Sequence, residues 1–201
     1  MKREVKQYLI ERAVAGDREA FGEIYRLLRD AIYGFAFRMT NETGTAEDIT
    51  QEVFMFFIKY PEKFDSSRGA GLFSFLCGVA RNKIFNHLKK SGTRFETNYF
   101  ETKNFENLRG GNGSSPLKIL LNEELSAKIE TAVAALSPFQ REVLLLREME
   151  DLSYEEIAEI TETEASVVKA RLYRARRALA NELASYVKSK KEEYFYEVHR
   201  S

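Results

Sequence analysis

The amino-acid sequence predicts an all-α protein of two small helical domains joined by a flexible linker, and three observations predict it. Apolar residues recur at the i, i+3, i+4, i+7 spacing of an amphipathic helix on both sides of a central break. No stretch shows the strict alternation of a half-buried strand, and no internal repeat is visible. The break contains Arg109-Gly110-Gly111-Asn112-Gly113-Ser114-Ser115-Pro116, which has the composition of a flexible tether. The expected division is a first domain over residues 1–92, a linker over 93–116, a second domain over 117–187 and a charged, aromatic tail over 188–201.

In the first domain, Asp17 is placed to cap a helix carrying Phe21, Ile24, Tyr25, Leu28, Ile32 and Phe35 on one stripe. Asn41 to Gly44 ends it. Thr45 is the expected cap of the next helix, with Asp48 three residues on in the manner of a capping box. Pro61 stops that helix. A loop with Arg68 and two glycines follows, and a further helix is expected from about Leu72 to Lys90. In the second domain, Ser137-Pro138-Phe139-Gln140 combines a serine cap, proline at the first helical position and glutamine at the third. Ser153-Tyr154-Glu155-Glu156 repeats the capping box, and Thr163 is placed to cap the last helix. Three closely spaced starts imply short helices with tight turns, as in a helix-turn-helix.

Composition excludes several classes of function. The 201 residues are 44% hydrophobic and 31% charged, as in a folded globular protein rather than a disordered one. No apolar run approaches the roughly 20 residues of a membrane span, so no membrane insertion is expected. The basic start, Met1-Lys2-Arg3-Glu4-Val5-Lys6-Gln7, has no apolar segment behind it, which argues against secretion. Cys77 is the only cysteine, so an internal disulfide is impossible and a reducing cytoplasm is the expected location. One cysteine and two distant histidines, His87 and His199, are too few for a metal cage, so neither a metal nor another cofactor is expected. An enzyme built on Cys77 or His87 lacks a recognisable triad neighbour, and Cys77 lies in an apolar helix where cysteine is ordinary packing.

The net charge is zero, but its distribution is uneven. Nine acidic residues and one basic residue, Arg147, lie between Glu142 and Glu164. Five basic residues and no acidic one follow between Lys169 and Arg177. This sign change suggests one surface for DNA and another for protein. Winding the last helix at about 100° per residue puts Val168, Leu172, Ala175 and Leu179 in one arc, which must face the domain interior. Lys169, Arg171, Arg174, Arg176 and Arg177 fall outside that arc. The outward face is therefore cationic and suited to the major groove, although a merely solvated basic stripe has the same pattern. On the helix after Thr45, Ile49, Val53, Phe56, Phe57 and Tyr60 share one face. Asp48, Gln51, Glu52 and Met55 share another, an acidic-amide patch with a methionine that is poor for DNA and plausible for protein docking.

The order of these parts resembles the extracytoplasmic-function (ECF) sigma factors of bacterial RNA polymerase. Ala46-Glu47-Asp48-Ile49-Thr50-Gln51-Glu52-Val53-Phe54 resembles region 2.2 of that family. Phe73-Ser74-Phe75-Leu76 followed by Val79-Ala80-Arg81-Asn82 is similar to its region 2.4 helix. Leu136-Ser137-Pro138-Phe139-Gln140-Arg141-Glu142-Val143 and Leu152-Ser153-Tyr154-Glu155-Glu156-Ile157-Ala158 resemble region 4, and Arg171-Leu172-Tyr173-Arg174-Ala175-Arg176-Arg177-Ala178-Leu179 its recognition helix. Ser166-Val167-Val168 stands where the family usually has Gly-Thr-Val, and the linker is long and polar.

The resemblance implies a promoter-directing initiation factor rather than an enzyme. It implies RNA polymerase core (the β′ clamp helices and the β flap), promoter DNA and an anti-sigma factor as partners. By the same resemblance, Asp48, Gln51, Glu52 and Met55 dock on core polymerase. Phe64, Arg68, Phe73, Arg81, Asn82 and Lys83 serve the −10 element, and Ser166, Lys169, Arg171, Arg174, Arg176 and Arg177 serve the −35 element. Phe64 or Phe73 is placed to stack a flipped base, with Arg68 on phosphate, but either ring is equally suited to the hydrophobic interior. A stand-alone helix-turn-helix regulator would account for the second domain and leave the Asp48 face without a role.

Overall fold

The computed structural model describes residues 4–65, 71–92 and 123–198. Eight α-helices and one 3-10 turn make up these residues, with no strand among them. The helices are α1 (Gln7–Val14), α2 (Arg18–Thr40), α3 (Thr43–Lys59), α4 (Leu72–Lys90), α5 (Glu123–Ala135), α6 (Pro138–Glu148), α7 (Tyr154–Thr161) and α8 (Ala165–Val198). The 3-10 turn is Pro61–Lys63, where proline's missing N–H ends α3. Helix α8 thus continues through most of the residues assigned to the tail, and Arg68 and the Gly-Ser stretch lie outside the described residues.

The first domain is a bundle of α2, α3 and α4, with α1 laid on α2 through Leu9 and Ile10. Ile24, Leu28 and Ile32 of α2, Val53 and Phe57 of α3, and Leu76, Cys77 and Ile84 of α4 are buried together. Each such aliphatic or aromatic side chain stabilises by about 1.5–3 kcal/mol on leaving water. Emptying the Phe57 position with alanine would cost about 3–5 kcal/mol, which is enough to threaten this domain. The second domain packs α5, α6, α7 and α8 around Leu136, Val143, Leu146, Ile157, Val168, Leu172 and Ala175. The expected inward arc of α8 is buried as its spacing requires, with Leu179 at its half-buried end.

Helix starts follow local chemistry, with three departures. Asp17 caps α2, its Oδ1 accepting from the backbone N–H of Glu19 (2.9 Å) and of Ala20 (3.1 Å). Ser153 and Glu156 form the reciprocal capping box, with Glu156 N–H to Ser153 Oγ at 3.1 Å and Ser153 N–H to Glu156 Oε2 at 2.7 Å. Thr45, in contrast, sits inside the first turn of α3 and donates to Glu42 Oε2 at 2.7 Å. Asn41 adopts the left-handed conformation (φ 58°), so the chain reverses within two residues and α3 starts earlier than Thr45. Ser137 occupies the N-cap position before Pro138, but its hydroxyl makes no capping bond. Thr163 lies two residues ahead of α8 and bonds Thr161 Oγ1 (2.9 Å), while the Glu164 carbonyl accepts from Val168 N–H at 3.1 Å.

The two domains are packed against each other, with α2 on α6 and α4 on α7. Arg141 of α6 ties three elements at this junction. Its guanidinium donates to the carbonyls of Met39 (3.0 Å), Val133 (3.1 Å), Leu136 (3.2 Å) and Ala134. These carbonyls lie at or near the C-terminal ends of α2 and α5, where the last helical turns leave acceptors unsatisfied.

Candidate functional site

The α3 surface carries Asp48, Gln51, Glu52 and Met55, all exposed. Met55 is 62% exposed, and Ile58, one turn from it, is 52% exposed. Ile58 extends the patch and was not singled out from the sequence, although its i+3 spacing from Met55 was available there. Glu52 reaches across to α4 and accepts from Lys83 Nζ at 2.5 Å. Lys83 is thus partly neutralised, and Asn82 beside it is exposed.

Where α3 gives way to α4, an aromatic group gathers. Phe64 meets Phe75 edge-on at 5.5 Å, Phe75 approaches Phe56 at 6.5 Å, and Phe56 approaches Tyr60 at 5.2 Å. Phe64 is half-buried here, with part of its ring accessible. Phe73 is not in this group: at 5% exposure its ring belongs to the hydrophobic interior. The physical reason is register. Residues 73, 76, 77, 80 and 84 lie on the inward face of α4, whereas Phe75 is half-buried beside Phe64 at the edge of the core.

Arg81 turns away from solvent. Its Nε donates to Glu142 Oε2 at 2.6 Å, and Glu142, from α6, is fully buried. Arg171 of α8 approaches the other oxygen, Oε1, at 3.5 Å. Two cations from two domains therefore share one carboxylate. Rings fill the space around them: Arg81 lies over Phe85 (4.6 Å), Phe85 stacks on Phe139 (5.4 Å), and Arg171 lies over Phe139 (4.8 Å). Burial pushes the Glu142 carboxyl up, and the charges of Arg81 and Arg171 and the Arg81 hydrogen bond pull against that. Burial also lowers Arg171, with Glu142 opposing. Glu142 and its ring neighbours were not marked as a site from the sequence, because nothing local says that a glutamate in a leucine-rich helix faces the other domain.

The remainder of α8 is more open. Ser166 is exposed and donates to Glu164 Oε2 at 3.1 Å. Lys169 and Arg177 are exposed, with Lys169 Nζ 5.5 Å from the Tyr154 ring centre, and Arg174 is half-buried. Arg176 is paired with Glu148 of α6 at 2.5 Å. The helix-turn-helix is formed by α7 and α8, joined through Glu162, whose left-handed φ of 53° closes α7. No helix among the described residues is long and apolar enough to cross a membrane. Among the same residues, no group of three or more His, Cys, Asp or Glu is arranged to hold a metal ion.

The structure joins a helix with an exposed acidic-amide face to a helix-turn-helix. Residues 24–94 match Sigma-70 region 2, and residues 126–179 match Sigma-70, region 4. The chain is 30% identical to the RNA polymerase sigma-H factor of Pseudomonas aeruginosa, over 89% of this chain and 94% of that protein. It is 30% identical to the ECF RNA polymerase sigma-E factor of Escherichia coli (strain K12), over 90% and 96% respectively. It shares its fold with the sigma factor RpoE of Bartonella quintana, solved in complex with the anti-sigma factor NepR. There the TM-score is 0.60 at 24% identity, over 82% of this chain and 96% of that one. CnrH, solved with the cytosolic domain of CnrY, shares the fold at a TM-score of 0.65 and 18% identity, over 89% and 96%. The chain belongs to the extracytoplasmic-function group of sigma-70 family RNA polymerase sigma factors, initiation factors that direct the polymerase to promoters.

Proposed function

We propose that this sigma factor divides its work among three faces. Core polymerase docks on α3 through Asp48, Gln51, Glu52 and Met55, extended by Ile58. The observation that carries this is an exposed methionine and isoleucine ringed by acidic and amide groups on a helix whose opposite face is buried. A face of that composition repels phosphate and suits a protein partner. The −10 element is met by α4 and the segment before it. Asn82 reads base edges, Lys83 and Arg68 neutralise phosphate, and Phe64, with Phe75 in place of the buried Phe73, offers a ring to a flipped base. Arg81 joins them once it leaves Glu142.

The −35 element is met by α8, with Ser166, Lys169, Arg174 and Arg177 nearest to DNA. Arg171 and Arg176 reach it only by giving up Glu142 and Glu148. The solved relatives bound to anti-sigma factors support an anti-sigma partner for this chain too. The cytoplasm, where polymerase and promoters are, is the place of action, in keeping with a sequence that holds a single cysteine. The test is to mix the purified chain with sigma-free bacterial core polymerase and a library of promoter fragments, and to sequence the transcripts. Defined start sites sharing two spaced upstream elements are expected. No transcript, with retardation of duplex DNA by the chain alone, would instead establish a stand-alone regulator.

A further inference from the structure

We infer that Tyr154, the first residue of α7, is a positioning residue for the recognition helix: its ring holds the Lys169 ammonium at one place on the face that meets the −35 element. This role rests on the reading of Lys169 as a −35 contact and adds what aims it. Lys169 Nζ lies over the Tyr154 ring, 5.5 Å from its centre, and the Arg147 guanidinium lies over the same ring at 5.2 Å. Among the described residues Lys169 makes no ion pair, so the ring is what holds it. Its neighbours on α8 are placed differently. Arg171 and Arg176 are bound to carboxylates, and Arg177 has neither a ring nor a carboxylate among the described residues.

The ring is itself held in place. Tyr154 sits inside the Ser153–Glu156 capping box, whose two bonds of 3.1 and 2.7 Å fix the start of α7. It is half-buried and packs against the interior of region 4. Arg147 donates to the Leu152 carbonyl at 2.7 Å, which ties the end of α6 to the segment that carries the ring. A lysine, by contrast, is a compact charge on a flexible four-carbon stem, and an unheld one spreads its ammonium over many rotamers. An aromatic face narrows that spread without cancelling the charge, which a carboxylate partner would do. The ammonium therefore stays available to a base edge while its reach is restricted. A cation aimed in this way discriminates at one base pair, whereas a free cation on phosphate attracts every sequence alike.

The experiment uses holoenzyme assembled from the full chain and bacterial core polymerase, with duplex fragments randomised across the −35 region. Sequencing the bound fragments reads affinity and base preference at every position together. Lys169→Ala should abolish the preference at one base pair. Tyr154→Leu keeps apolar bulk but loses the ring face, and should weaken the preference at that same base pair by about two- to fivefold, the size of an exposed cation–ring contact. Tyr154→Phe should restore it, because the ring and not the hydroxyl holds the ammonium. The double variant Tyr154→Leu with Lys169→Ala should be no worse than Lys169→Ala alone. Arg177→Ala, the unheld cation, should lower affinity for all fragments alike. Circular dichroism identifies a variant that has unfolded, and Tyr154→Met then replaces Tyr154→Leu. Equal losses from Tyr154→Leu and Tyr154→Phe, additive losses in the double variant, or a loss spread over every position would each overturn the positioning role. Lys169→Ala without effect would overturn the reading of Lys169 as a −35 contact, and the role of Tyr154 with it.

Discussion

Replacing Arg171 by alanine separates a structural arginine from a DNA-reading one. From sequence, Arg171 is an outward cation of the recognition helix; in the structure its side chain is 19% exposed and faces buried Glu142 and the Phe139 ring. Removing one partner of a buried ion pair costs about 3–5 kcal/mol when the other charge is left alone. Glu142 is not left alone, because Arg81 remains at 2.6 Å. The longer 3.5 Å contact is the one removed, together with a ring contact of about 0.5–2 kcal/mol. The net loss should be about 1–3 kcal/mol, and each kcal/mol lowers the melting temperature of a domain this size by about 4–8 °C. Arg177→Ala is the control: an exposed cation whose loss should change stability by less than about 0.5 kcal/mol. If Arg177 contacts phosphate, its loss should also reduce the salt slope of promoter binding by about one. Thermal and urea unfolding followed by circular dichroism, alongside transcription from a −35-dependent promoter, would distinguish the two. An Arg171→Ala chain that melts like wild type while transcription collapses would refute the reasoning and return Arg171 to the DNA contacts.

Asp48→Ala and Glu52→Ala should weaken binding to core polymerase without unfolding the domain; the Glu52–Lys83 pair is exposed and worth at most about 1 kcal/mol. Unchanged affinity in a titration with purified core would remove α3 from the docking surface. Asp17→Ala should lower the melting temperature near neutral pH, because the capping N–H of Ala20 and the Arg12 guanidinium hold the Asp17 carboxyl below its usual range. A depressed carboxyl contributes stability above its unfolded-state pKa and loses it as pH falls, so the gap between variant and wild type should close below about pH 4. A gap that widened on acidification would contradict that assignment. Glu162→Gly should raise the melting temperature of region 4, since a left-handed residue with a side chain costs about 1 kcal/mol relative to glycine. Calorimetry showing no gain would mean that Glu162 makes a compensating contact in the helix-turn-helix turn.

Helix periodicity made most of the architecture legible. The α4 limits, Leu72 and Lys90, coincide with the apolar pattern, and the arc of Val168, Leu172 and Ala175 is buried as winding requires. Asp17 and the Ser153–Glu156 box were readable because capping is local chemistry. Thr45 misled because the left-handed Asn41 set the start of α3, and backbone reversal outranked a hydroxyl placed two residues later. Phe73 was ambiguous for a different reason. Two aromatics one residue apart from Ser74 give no sign of which faces inward until the whole α4 register is fixed. The Glu142 junction was illegible because it depends on contacts between residues 61 positions apart in the chain. No local pattern encodes which arginines a glutamate will meet across two domains.

The zero net charge, which argued against a simple DNA-coating protein, acquires a physical sense from these contacts. The acidic run from Glu142 onward is not separate from the basic face of α8; some of its members neutralise it. Glu142 faces Arg171 and Glu148 holds Arg176, while Glu142 also reaches Arg81 in the other domain. Of the five α8 cations, Arg171 is largely buried on Glu142 and Arg176, although exposed, is paired with Glu148, which leaves Lys169, Arg174 and Arg177 outside these pairs. A field so reduced gives weak non-specific attraction, since that attraction scales with the phosphates a protein can neutralise. Of these pairs only Arg81–Glu142 crosses between the domains; Arg171 and Arg176 are held by α6 of their own domain. For an initiation factor that must ignore most DNA, holding its arginines on its own carboxylates is a direct electrostatic route to selectivity.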